Sequence, residues 1–241
     1  MTGAATAGAR PAPHPVRAWF WAHPEWWAMA LAGAGWAALA AGALAGADHG
    51  AHGGGPSWPA GAMVTAMMVP LVVPHVRFVA GSSLWRRRHA AVGWFLVGYL
   101  GLWAVAQAGL EVGWAWASGR LGQTAAAAAA VAAAALWEVT PAQLRRRRRC
   151  HRLVPLAPRG WRADAACARY GVATGARCLA VCWAAMLVCA AFGHGLPVVA
   201  AVFGVQLSGR YRPRPPARWH ALVLLGVGAA ALAWAHRGVA H

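Results

Sequence analysis

The sequence has almost no acid and no lysine. Its carboxylates are Glu25, Asp48, Glu111, Glu138 and Asp164, and all 22 basic residues are arginine. Carboxylate chemistry has little material here, and no HExxH, GxSxG, phosphate-cradling glycine loop or internal repeat is present. Hydrolases and nucleotide-driven pumps are poor readings, and the chain is expected not to be an enzyme. Charged residues amount to 11%, where soluble domains carry about 25%. No module of basic and interleaved aromatic residues accompanies the formal charge of +17, so nucleic acid is not an expected partner.

What the chain has instead is apolar length. The apolar set makes up 60% of the 241 residues, with a mean hydropathy of +0.45. Seven apolar stretches approach the length that crosses about 30 Å of hydrocarbon: 26–45, 60–78, 92–110, 121–139, 175–193, 196–207 and 221–235. The fourth is weak alone, since alanine contributes little to insertion. Arginine placement is an independent test, because positive charge stays on the cytoplasmic side. With the N-terminus inside, every arginine except Arg120 and Arg237 falls on that side. An arginine at the bilayer centre costs about 2.5 to 3.5 kcal/mol, so other registers lose.

The expected fold is therefore all-α, a polytopic transmembrane helical bundle of about seven spans (six possible), N-in and C-out, in a bacterial-type plasma membrane. Residues 1–18 read as a disordered cytoplasmic N-terminus, and 19–241 as one transmembrane domain with an arginine-rich cytoplasmic loop at about 140–174. That loop meets anionic headgroups of the lipid bilayer. A signal-peptide reading of 26–47 is disfavoured by the length of the apolar run. Trp26, Trp27, Trp58, Trp85, Trp114, Trp137 and Trp219 lie near span ends, where indole rings anchor.

Sulfur is the soft chemistry inside the spans. The second span carries Met63, Met67 and Met68, then Pro70 and Pro74, which release the carbonyls of Ala66 and Pro70 from their helical partners. In the fifth span Cys178, Cys182, Met186 and Cys189 fall within an arc of roughly 80°. Thiolate and thioether sulfur suit Cu(I), whereas Mg, Ca or Mn want oxygen. Helix packing explains the same residues without a metal. Measured from the outer boundary, Met67 and Met186 lie roughly 10 Å deep, and Met63 lies beside Cys189 at about 5 Å. This ladder requires the second and fifth spans to be neighbours.

Outside the membrane, His49 and His52 with Asp48, and His194 on the same side, are candidates for metal capture; plain surface is the alternative. His75 and Glu138 near the inner boundary read as paired structural polar groups, with His75 a lesser ligand candidate. Cys150 and Cys167 fall in the cytoplasmic loop, where disulfides do not persist.

Four pieces then occur in a fixed order: Ala66-Met67-Met68-Val69-Pro70 with Pro74; Gly98-Tyr99-Leu100 before Trp103; Trp137-Glu138-Val139-Thr140-Pro141 running to Cys150-His151-Arg152; and Arg169-Tyr170-Gly171 leading to Cys178, Cys182-Trp183-Ala184 and Met186. In this the chain resembles the family of predicted metal-binding integral membrane proteins, domain of unknown function 2182, often labelled copper chaperones. The pieces span about Met63 to Met186. The chain departs from the family at Ala180 and Val181, where small or cysteine residues are common. The resemblance implies metal binding in the membrane.

Together these readings give an integral membrane protein handling Cu(I) through a Met/Cys site between the second and fifth spans, with copper as its cofactor and a metal-donor or metal-acceptor protein as partner. Met63, Met67, Cys182 and Met186 are the first ligand candidates, then Met68, Cys178 and Cys189. The competing class is a structural or assembly subunit whose sulfur stripe is packing. A membrane oxidase subunit would need embedded histidines and carboxylates, which the spans are read as lacking.

Overall fold

The computed structural model describes residues 15–45, 58–150, 153–157, 160–211 and 217–238. Among these there is no strand; the order is α1 (Pro15–Ala22), α2 (Glu25–Leu44), α3 (Trp58–Leu71), α4 (Val73–Gly81), a 3-10 turn (Trp85–Arg87), α5 (Arg88–Leu121), α6 (Gln123–Val139), α7 (Pro141–Arg149), α8 (Gly160–Ala191), α9 (Leu196–Tyr211) and α10 (Ala217–Gly238). All seven apolar stretches are helical. The chain begins α1 at Pro15, inside the stretch expected to lack structure, and most of the expected 140–174 loop is helix, in α7 and the start of α8. Residues 1–14 lie outside the described set.

Prolines shape two of these elements. Pro70 and Pro74 break the second stretch at Val72, so α3 and α4 meet at a bend of 62°. Thr140 is held extended before Pro141, and its hydroxyl accepts from the Gln143 N–H at 3.2 Å, capping α7. That corner turns α7, with its arginine run, 68° away from α6. Among the described residues three helices are long and apolar enough to cross a membrane, and up to five segments qualify if each bent pair counts as one span. The apolar part of α10, Arg218–Ala233, is shorter.

The core forms where α5 and α8 pack along each other, with α3 against α2, α5 and α9, and with α6 and α9 against α8. Contact is backbone to backbone: a Cβ on Gly98 would meet the Ala168 carbonyl oxygen, and one on Gly171 would meet that of Phe95, each at 2.1 Å. Small residues let apolar helices approach this closely. Trp94, Val97, Val105, Val112 and Trp116 remain exposed on α5 at helical spacing. A contiguous apolar face of this kind needs a cover other than water. Two of the expected boundary tryptophans make contacts inside the protein: Trp114 is buried, and the Trp137 indole N–H donates to the Val181 carbonyl at 3.1 Å.

The bundle has two chemically distinct ends. At one, Arg77 pairs with Glu25, Arg87 with Asp164 and Arg147 with Glu138, and Arg146 reaches the Ala180 carbonyl. At the other, His194 lies 3.3 Å from Gln107 and 4.0 Å from Glu111.

Candidate metal centre

The centre begins with the proline break. Because α3 ends at Leu71, the Val72 N–H turns to the Val69 carbonyl at 3.1 Å. The Met68 carbonyl takes a different partner, the Tyr99 hydroxyl of α5, at 3.2 Å. The released Pro70 carbonyl accepts from the Tyr211 hydroxyl at 3.3 Å. Broken backbone bonds in an apolar helix are thus met by side chains of neighbouring helices.

Around this turn the sulfurs converge. Cys178 Sγ stands 4.0 Å from Met68 Sδ and 3.9 Å from Cys182 Sγ, and the Tyr99 oxygen is 3.4 Å from Cys178 Sγ. Cys182 donates to Gln206 Oε1 of α9 at 3.4 Å. Four helices therefore contribute to one cluster. Cys178 and Cys182 are one helical turn apart, so a single face of α8 delivers both. All five cysteines are thiols.

Beside the cluster is a cavity of about 40 Å³ lined by residues that include Cys178, Cys182, Gln206, His75, Cys150, Arg147 and Arg210. It has room for a water or a single ion. His75 is clamped across it, Nδ1 to the Tyr170 hydroxyl at 2.7 Å and Nε2 to the Cys150 carbonyl at 2.9 Å. Burial pushes the Cys150 thiol up to about 11, aided by the nearby Cys178 and opposed by Arg210, Arg177 and Arg147.

Glu138 and His75 do not pair with each other, contrary to expectation. Glu138 is joined by Arg147 and Gln143, with His220 Nδ1 at 3.5 Å, and His220 Nε2 reaches Ser208 at 2.6 Å. Gly209 makes room for the Arg147 guanidinium, since a Cβ there would stand 2.4 Å from it. His75, His194, His220 and Glu138 are all buried.

Of the sequence candidates, Met68, Cys178 and Cys182 come together in the cluster. Met63, Met67, Met186 and Cys189 are fully enclosed in the apolar core. His194 sits at the opposite end of the bundle with Gln107 and Glu111; His49 and His52 lie outside the described residues. Sequence reasoning missed Tyr99, Gln206 and the Met68 carbonyl as parts of the site. A single glutamine inside the otherwise apolar α9 was the available signal for Gln206. Among the described residues no group of three His, Cys, Asp or Glu side chains is placed to hold a metal, so the cluster reaches three donors only with the Met68 thioether.

A family model, PpoB2, described as copper chaperone, matches residues 57–236. The chain belongs to this copper chaperone family. No curated protein and no solved structure matches it. The match includes every helix of the copper chaperone family member that contributes to the sulfur cluster, from α3 into α10.

Proposed function

We propose that the chain is a multi-pass membrane protein that binds Cu(I) at Met68, Cys178 and Cys182 and passes it to an acceptor, making and breaking no bond in an organic substrate. The observation that carries this is sulfur spacing. With metal–sulfur bonds of about 2.3 Å, three sulfurs in a trigonal plane stand about 4.0 Å apart. Two sides of such a triangle, Cys178 Sγ to Met68 Sδ and Cys178 Sγ to Cys182 Sγ, are 4.0 and 3.9 Å. A donor set of thiols and thioether favours a soft ion over a hard one. The copper description of the family points the same way. Binding displaces the thiol protons, and the resulting negative charge sits beside the cavity-lining Arg147 and Arg210.

Seven spans with the arginine-rich end cytoplasmic is the topology we propose for a plasma membrane location. Its support is the gathering of Arg77, Arg87, Arg146 and Arg147 at one end of the bundle and the exposed apolar face of α5. The test is metal content of the purified protein by mass spectrometry after expression with copper under reducing conditions. Wild type should hold about one copper; Cys178→Ser with Cys182→Ser should hold none, and Met63→Leu with Met186→Leu should keep it. Equal copper in all three proteins would sink the assignment and leave the stripe as packing.

A further inference from the structure

Cys150 was read as a loop residue, and nothing in the cluster uses it. The structure places it on the lining of the same cavity as Cys178 and Cys182. The Cys150 thiol lies 3.5 Å from the Arg177 carbonyl, on the turn of α8 that carries Cys178, and 3.6 Å from the Arg146 carbonyl. Its backbone is fixed by His75 at the start of α4, whose ring is held in turn by Tyr170 of α8. With both ring nitrogens engaged in this way, His75 is a positioning residue for Cys150. A thiol is thus held between α7 and α8 on a cavity that Cys178, Cys182, Arg147 and Arg210 also line.

A second observation places unpaired polar donors in the cavity's largely apolar lining. Gln206 lines it, is 4% exposed, and its Nε2 has no hydrogen-bond partner; the buried Nε of Arg210, another lining residue, also has none. Buried N–H groups are normally paired. A metal–thiolate complex carries negative charge that such donors stabilise.

From this geometry we infer that Cys150 is a second metal station, the release ligand through which Cu(I) leaves the Met68/Cys178/Cys182 site at the arginine-rich end. The inference rests on the function proposed above. The step is ligand exchange without redox change: a Cu–Sγ bond to Cys150 forms, the bonds to Cys178 and to the Met68 thioether break, and the Cys150 proton passes to the Cys178 thiolate. The ion is left between Cys150 and Cys182 until incoming thiols of a cytoplasmic partner displace these two in turn, each returning its proton to the thiolate it replaces.

The experiment uses the full chain in lipid nanodiscs, loaded with Cu(I) without oxygen and mixed with a water-soluble Cu(I) chelator followed by absorbance. Cys150→Ser should load the same copper as wild type and release it about ten-fold or more slowly, the scale on which losing a metal partner acts. His75→Gln, which loosens Cys150 and leaves its thiol, should give a smaller slowing. Cys167→Ser, removing the other cysteine near that end, should release at the wild-type rate. Normal release from a loaded Cys150→Ser protein overturns the station and leaves the primary site standing. Loss of loading in Cys150→Ser, with His75→Gln still loading, places Cys150 in the primary site and overturns the two-station order. Failure of wild type to load overturns both.

Discussion

Two buried polar systems lie within a few residues of each other, and they serve different ends. The thiols of Cys178 and Cys182 have weak partners, a hydroxyl and an amide oxygen at 3.4 Å each. Weak partners are what a ligand that must exchange them for a metal requires. Glu138 is the opposite case, 2% exposed and held by Arg147, Gln143 and His220. Removing one member of such a pair leaves an uncompensated charge, at a cost of about 3 to 5 kcal/mol. Glu138→Gln is therefore expected to lower the thermal midpoint of the detergent-solubilised protein strongly, by way of stranded Arg147. Restoration by Glu138→Gln with Arg147→Met separates this structural role from a metal role. If the single variant is as stable as wild type and copper-free, Glu138 belongs to the metal site.

At the scale of elements, the kink and the glycine contact do the positioning. The Val72 break is what frees the Met68 carbonyl for Tyr99, and the Gly98/Gly171 crossing is what brings Tyr99 of α5 against Cys178 of α8. Gly171→Val would force the helices apart at Phe95, and overpacking of this kind costs about 1 to 3 kcal/mol or more. Copper retention should fall together with stability in Gly171→Val and stay intact in Gly101→Val, where a Cβ meets nothing. Copper retained at full stoichiometry by a stable Gly171→Val protein would show that the crossing does not set the site. Helix positions and the sulfur face of α8 were legible in the sequence because composition and a 3.6-residue period determine them. Which methionine meets α8 was not, because the helical period of α3 does not report that its last turn, with Met68, is the one that reaches Cys178. Cys150 was unreadable for a related reason: the turn at Thr140 and Pro141 swings α7 68° from α6 and against α8, and no local pattern reports where its end docks.

For the whole molecule, direction follows from asymmetry. Met68, Cys178 and Cys182 lie between an end rich in arginine, where Cys150 stands, and an end where His194 meets Gln107 and Glu111. An ion entering at the second end and leaving at the first travels inward only if the arginines are cytoplasmic, the side that positive charge favours. The shorter α9 and α10 decide how often the chain crosses, so topology is tested on both sides of them. Ser82 and Arg218 are exposed toward the arginine-rich end, Arg120 and Pro197 toward the other. A membrane-impermeant maleimide added to intact cells should label Arg120→Cys and Pro197→Cys above the wild-type background, and label Ser82→Cys and Arg218→Cys only after permeabilisation. Labelling of Arg218→Cys from outside would mean that α9 turns back without crossing. Labelling of Ser82→Cys and protection of Arg120→Cys would invert the whole bundle, turn the Cys150 end outward and make the same sulfur site an export device.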